Sequence, residues 1–294
     1  MNKKPVIVNG MFRSGTTLLW RILAADHDFS IYFCEPLHPD LPNQIETFGH
    51  YRFYKQVPEA MEKWSPYFHS KRLRLLKGES YPELQTYLSH LIKKGALIKF
   101  CRMNLRLSWF QERFTNSYII NIIRDPRAVC YSYLKNNQRP IDQHDLDWTG
   151  WYGVEYFGLY GQMDSFASYL KALDQEPPYM KIMALWKINV EQSIRDLEDS
   201  GIKNWINITY EELVNAPERI IKKIYSLLDK VPPIDVMDNA LGRRVLELGG
   251  KSRWQSKTSD EWVLDWKNDV ADEIWEKGIR ISGIADTMKR FGYI

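Results

Sequence analysis

The chain has 294 residues and is 44% hydrophobic, enough for one large core or a core with a small cap, so a single domain over residues 1–294 is expected. Forty Lys and Arg against 37 Asp and Glu leave a net charge of +3, too small for a general nucleic-acid binder, so any anion site must be local. Cys34, Cys101 and Cys130 form no C-x-x-C or Cys/His cluster and read as buried thiols of a reducing compartment. The apolar stretch after Lys3 and Lys4 is broken at once by Asn9, Gly10 and Arg13, and no window approaches the ~18 apolar residues of a membrane helix. A soluble cytoplasmic protein with no transmembrane segment and no nucleic-acid partner is expected.

The stretch from Pro5 to Leu23, PVIVNGMFRSGTTLLWRIL, reads as strand, loop and helix. Val6-Ile7-Val8 suits a short buried strand, and Leu18, Leu19, Ile22 and Leu23 suit the inner face of a helix. Gly10 and Gly15 bracket the turn between them in the spacing G-x-x-x-x-G. Such glycines let backbone N–H groups converge on an anion at the positive end of the following helix. An ordinary phosphate loop continues with Lys and then Ser or Thr, for the outer phosphates and magnesium. Here those positions hold Thr16 and Thr17, and the cation stands inside the loop as Arg13, beside Ser14. Without the lysine, nucleoside-triphosphate chemistry gives way to another activated anion.

Phe29–Phe33 reads as a second strand, followed by Cys34-Glu35-Pro36-Leu37-His38. Pro36 pushes Glu35 out of helical geometry, to the carboxyl end of the strand. That end carries the ligand crevice in open parallel sheets. A carboxylate there is either a turn residue bonded to nearby N–H groups or a general base; His38 is the rival base. Residues 41–94 form an insertion of short helices and loops with aromatic side chains and a basic cluster, Lys71, Arg72, Arg74 and Lys77, which reads first as a solvated face. Ala96–Phe100 is the next strand, with Lys99 near its carboxyl end and Arg102 just beyond, and a helix over 106–114 leads to the strand Tyr118–Ile123.

The turn after that strand is the second strong motif, Arg124-Asp125-Pro126-Arg127-Ala128-Val129-Cys130-Tyr131-Ser132. Asp125 suits an N-cap and Pro126 the first helical position. Arg124 then stands at the strand end while Ser132, two turns into the helix, projects from its side, so that one phosphate can touch both. An Asp closing an apolar strand can also hold magnesium, which keeps a phosphotransferase open; the following proline favours the cap.

Residues 136–178 form a second insertion with a run of aromatic residues. Tyr152, Tyr156 and Tyr160 share a helical face, read first as a core stripe, while Gly150, Gly153, Gly158 and Gly161 make a helix costly and suggest a mobile lid. A helix over 179–199, a strand Trp205–Thr209 and an apolar-faced helix from Pro217 follow. Lys251, Arg253 and Trp254 precede a capping box from Thr258 to Glu261.

The R-S-G-T-T-L-L loop and the R-D-P-R-x-V-x-x-S-x-L segment resemble, in order, the two nucleotide motifs of sulfotransferases that use 3′-phosphoadenosine 5′-phosphosulfate (PAPS). Tyr210-Glu211-Glu212-Leu213, with Thr209 where the family has Arg, and the ending Phe291-Gly292-Tyr293 resemble further family segments. The resemblance runs from Val6 to Tyr293. It implies an α/β fold of the P-loop type, a parallel sheet flanked by helices with the two insertions forming a lid. It also implies PAPS as sulfuryl donor, no metal, and a small-molecule or glycan acceptor. Carried over by residue, Arg13, Ser14, Gly15, Thr16 and Thr17 would hold the 5′-phosphosulfate. Arg124 and Ser132 would hold the 3′-phosphate, Tyr210 would lie by the adenine, and Lys251, Arg253 and Trp254 would fold over the nucleotide. The family often has Lys at the Arg13 position; Arg stays charged but is a poor proton donor. Glu-Pro after the second strand resembles the branch acting on sugars and glycolipids. The alternatives are a magnesium-ATP small-molecule kinase and a non-catalytic nucleotide-binding protein.

Overall fold

The computed structural model describes residues 4–38, 73–93, 95–136, 153–242, 266–267 and 269–294. Among them five strands form one sheet: β1 (Val6–Asn9), β2 (Ile31–Cys34), β3 (Ala96–Phe100), β4 (Tyr118–Ile123) and β5 (Trp205–Thr209), in the order β2-β3-β1-β4-β5. Every pairing is parallel, with Val6 opposite both Leu97 and Tyr118. This is the expected α/β architecture, with the first strand at the centre. Its Val and Ile side chains are buried, as central parallel strands covered on both faces require.

Helices supply that cover. In chain order they are α1 (Thr16–Leu23), α2 (Pro82–Leu91), α3 (Leu107–Arg113), α4 (Pro126–Asn136), α5 (Gly153–Gly161), α6 (Asp164–Lys171), α7 (Pro178–Asp199), α8 (Tyr210–Asn215), α9 (Pro217–Leu227), α10 (Ile234–Ala240), α11 (Asp272–Ser282) and α12 (Ala285–Arg290). The core divides into two clusters. One joins the sheet to α1, α2, α3, α9 and α10 through Leu19, Trp20, Leu88, Trp109, Ile221 and Val236. The other is built around α7 and gathers its Met183 and Trp186 with Val129 of α4 and Trp275 of α11 into one buried cluster. Long, amphipathic elements of this kind draw most of their stability from such burial.

A row of asparagines ties the centre of the sheet together just before the first loop. Asn9 stands opposite Asn121, and Asn121 opposite Asn207. The Asn9 amide donates to the Asn121 and Asn104 side-chain oxygens, each at 2.8 Å, and the Asn121 amide donates to Asn207 at 2.9 Å. A slip of one residue would break this row and turn each apolar set to the wrong face.

Two elements differ from the sequence expectation. The second strand starts at Ile31 rather than Phe29, because the Asp28 N–H donates to the Asp26 side chain and the Phe29 N–H to the Asp26 carbonyl, which closes a turn first. The glycine-rich segment 153–161 is helical. Gly158 and Gly161 face open space, and the buried Tyr160, whose hydroxyl donates to Asn189 at 3.1 Å, anchors α5 to α7. Packing thus outweighs a glycine penalty of roughly 1 kcal/mol per residue. Of the aromatic stripe, only Tyr160 has a described side chain, and it is a core residue. Among the described residues no helix is long and apolar enough to cross a membrane. The three cysteines are free and buried.

Candidate nucleotide and transfer site

The loop between β1 and α1 is shaped by close contacts that only glycine allows. A Cβ on Gly10 would lie 2.5 Å from the Ile122 carbonyl oxygen. Gly15 has φ 90°, and a Cβ there would meet the Tyr210 ring at 2.3 Å. Gly15 is also the N-cap of α1 and offers no side chain to the first-turn N–H groups, and no acidic residue stands in that turn. Amides at a helix start so arranged are a ready anion site. Ser14 and Thr16 are buried within the turn; the Thr16 hydroxyl lies 3.4 Å from the Cys101 sulfur, and Thr17 is half-buried beside it.

Arg13 has the left-handed φ of 64° and is exposed, so its side chain swings across the loop mouth. Its Nε and Nη2 both donate to the Ser132 hydroxyl, at 3.0 and 2.8 Å. Arg124 donates through Nη1 to the Arg13 carbonyl at 3.1 Å, and its guanidinium lies 4.2 Å from the centroid of the Tyr210 ring. The Arg124 carbonyl in turn accepts from the Trp186 indole at 2.9 Å. Arg13 and Gly15 from the first strand-to-helix turn, Arg124 and Tyr210 from the turns after β4 and β5, and Ser132 from the side of α4 therefore meet in one place. Two guanidinium groups, a hydroxyl and the amides of a helix start are chemistry suited to a ligand with two anionic groups.

Asp125 caps α4, its carboxylate accepting from the Arg127 N–H at 2.8 Å and its carbonyl from the Val129 N–H at 3.0 Å. The same carboxylate is paired with the Arg127 guanidinium at 2.6 Å. These bonds fit the cap rather than a magnesium ligand.

The second cluster lies at the carboxyl ends of β2 and β3. Glu35 follows β2 and is buried, but with φ 57° it takes left-handed geometry rather than the extended geometry expected before Pro36, because its carbonyl closes a tight turn with the His38 backbone N–H. One carboxylate oxygen is 3.0 Å from Lys99 Nζ; the other is 3.0 Å from Arg102 Nη1 and accepts the Cys101 N–H at 3.1 Å. Burial alone would raise the Glu35 pKa, but the two cations and these hydrogen bonds outweigh it and bring the group down to about 2. His38 is also buried, and its backbone N–H donates to the Glu35 carbonyl at 2.9 Å, which closes the Glu-Pro turn. Both candidate bases thus occupy one turn.

Lys251, Arg253, Trp254 and the capping box from Thr258 lie outside the described residues, as do Lys71 and Arg72. Arg74 is bound to Ser165 at 2.7 Å and lies over the Phe166 ring at 5.6 Å, holding the chain to α6. Several contacts go beyond the sequence motifs. Thr209, noted only for replacing an arginine, makes a full capping box with Glu212: its hydroxyl accepts the Glu212 N–H and the Glu212 carboxylate accepts the Thr209 N–H, both at 3.1 Å. The spacing T-x-x-E carried that signal. The pairing of Lys99 and Arg102 with Glu35 had no local signal, because it depends on the alignment of β2 beside β3.

A family model described as the sulfotransferase family matches residues 5–231, more than half of the chain, a range that includes Arg13, Glu35, Arg124, Ser132 and Tyr210 but not Lys251, Arg253 or Trp254. The chain belongs to the sulfotransferase family. A comparison with curated protein sequences gives no match. Among solved structures, the sulfotransferase domain from the curacin biosynthetic pathway matches with TM-score 0.54 and 15% identity, over 97% of this chain and 98% of that one. The sulfotransferase domain of the Synechococcus PCC 7002 olefin synthase matches with TM-score 0.53 and 18% identity, over 97% and 95%. The sulfotransferase STF9 from Mycobacterium avium matches with TM-score 0.52 and 14% identity, over 100% and 78%. At these identities the likeness is one of fold. This sulfotransferase shares their P-loop type of parallel sheet, and its own residues must carry any finer reading.

Proposed function

We propose that this sulfotransferase transfers the sulfuryl group of PAPS to a hydroxyl or amine of a small-molecule or glycan acceptor, with a carbohydrate or glycolipid as the acceptor class. The observation that carries the donor reading is the meeting of Arg13, Ser132 and Arg124, with Tyr210 against Gly15. In this reading the amides at the start of α1 take the 5′-phosphosulfate, and Arg124 and Ser132, each bonded to Arg13, take the 3′-phosphate. Adenine then falls on the Tyr210 side. The acceptor class rests on Glu35-Pro36 after β2, the feature that resembles the sugar-directed branch.

In this reading the S–O bond to the nucleotide breaks as the acceptor oxygen bonds to sulfur from the opposite side. Charge grows on the departing phosphate oxygen, where the loop amides and Arg13 offset it; preorganised donors at such a point are commonly worth roughly 3–4 kcal/mol each. Arg13 acts as a fixed charge and not as an acid. Glu35 takes the acceptor proton. A carboxylate held near 2 is ionised throughout the neutral range. It is a weak base, so it receives the proton late, once bonding to sulfur has made the acceptor O–H strongly acidic. Lys99 and Arg102 hold it in place meanwhile.

The test is transfer of labelled sulfur from PAPS to a panel of sugar, glycolipid and phenolic acceptors. Labelled sulfate ester on a sugar hydroxyl supports the full reading; labelled phenol alone refutes the acceptor class, and PAPS bound but never consumed refutes the enzyme. With a competent acceptor, Glu35→Gln should lower turnover by ~10²–10⁴ with donor affinity little changed. Near-normal turnover in Glu35→Gln with loss in His38→Gln would move the base to His38.

A further inference from the structure

Beside the donor loops lies a closed ring of hydrogen bonds that the transfer chemistry above does not use. Glu211, in the first turn of α8, commits its two carboxylate oxygens to different parts of the chain. One accepts the backbone N–H of Asp125 at 3.1 Å, and the other accepts the Tyr293 hydroxyl at 3.0 Å. Tyr293 is held a second time, its carbonyl accepting from Arg127 Nη2 at 2.8 Å, and Arg127 grips the Asp125 carboxylate. The ring therefore runs from Asp125 to Glu211 to Tyr293 to Arg127 and back.

Its place in the chain gives it a consequence. Asp125 follows Arg124, and Glu211 follows Tyr210, so the Glu211 carboxylate joins the immediate neighbours of the two residues that stack on each other at 4.2 Å. Asp125 and Glu211 also close two different turns, after β4 and after β5. The Glu211 bond to the Asp125 N–H is thus a strut between those turns, and Tyr293 sets the direction in which that carboxylate points. Burial pushes the Tyr293 phenol well above its ordinary range.

We propose that Glu211 and Tyr293 are positioning residues for donor binding: by fixing the spacing of the Arg124 and Tyr210 turns, they set how well the protein reads the 3′-phosphate of its nucleotide. Neither touches the ligand. This rests on the reading of the donor as a 3′-phosphorylated nucleotide.

Calorimetric titrations of Tyr293→Phe, Glu211→Gln and the double variant with 3′,5′-adenosine diphosphate and 5′-AMP, alongside thermal melts, test it. Tyr293→Phe keeps the ring, which lies 6.5 Å from that of Trp186, and removes only the hydroxyl. Preference for the diphosphate over 5′-AMP should fall ~3- to 10-fold in each single variant, the range for one hydrogen bond. In the double variant it should fall no further than in the more affected single variant, because both act through one bond. KM for PAPS should rise with kcat unchanged. A lower melting temperature with the nucleotide preference intact would overturn the proposal and leave the ring a purely structural brace; so would single-variant losses that multiply. Absence of diphosphate binding in the unaltered protein would instead overturn the donor reading, and the inference with it.

Discussion

Replacing Glu35 by Gln removes the negative charge between Lys99 and Arg102 and should be felt in stability before any acceptor is added. The carboxylate lies 3.0 Å from each cation and all three side chains are buried, so little solvent screening is available to the pair left behind. Removing one partner of such a group costs about 3–5 kcal/mol. The pKa gives a second route to the same size: a fall from 4.5 to about 2 corresponds to stabilisation on the order of 3 kcal/mol. Because the folded-state pKa lies below the unfolded one, this contribution is complete above about pH 4.5 and is lost as pH falls through the folded value near 2. At roughly 2–4 °C per kcal/mol for a chain of this order of size, Glu35→Gln should melt ~6–12 °C lower at pH 7. Thermal melts of both proteins from pH 7 down to pH 3 supply the check, and the gap should close by about half or more over that range. A variant that melts like the parent at pH 7, or a gap of constant size down to pH 3, would refute the reasoning.

Arg124→Ala removes a charge-assisted contact worth roughly 1.5–3 kcal/mol, so affinity for 3′,5′-adenosine diphosphate should fall ~10- to 150-fold and affinity for 5′-AMP far less, as titration would show. Gly15→Ala places a methyl 2.3 Å from the Tyr210 ring at φ 90°, and strain of about 1–3 kcal/mol should weaken nucleotide binding ~5-fold or more; unchanged binding would mean that the loop does not hold the ligand. Sulfuryl transfer should continue in excess chelator, since the place of the magnesium-organising Lys-Ser/Thr pair is taken by Thr16 and Thr17 and the Asp125 carboxylate is paired with Arg127. Loss of turnover in chelator, with rescue by magnesium, would move the reading to the kinase.

How much of this was legible in the sequence depended on the range of the interaction. The four strands Val6–Asn9, Ala96–Phe100, Tyr118–Ile123 and Trp205–Thr209 announce themselves as apolar runs closed by turn residues, and β3, β4 and β5 match their expected bounds. Gly10, Gly15, the Asp125-Pro126 helix start and the position of Glu35 just past β2 are likewise local chemistry. The pairing of Glu35 with Lys99 and Arg102 is not local: it exists because Cys34 stands opposite Lys99 in a parallel register that no short window contains. The Glu211 strut joins residues 86 and 82 positions apart, which periodicity cannot reveal. The helix over Gly153–Gly161 went against its own propensity, because the tertiary contacts of Tyr160 decide it.

The central claim, that the two guanidinium-bearing turns form a site for a 3′-phosphorylated sulfate donor, is tested most directly by comparing the thermal shift given by 3′,5′-adenosine diphosphate with that given by ATP and magnesium. At 100 times its dissociation constant a ligand stabilises by ~2.7 kcal/mol, enough to rank the two. The account predicts a clear upward shift with the diphosphate in the presence of chelator and little with magnesium-ATP. Stabilisation by magnesium-ATP alone, with none from the diphosphate, would contradict it.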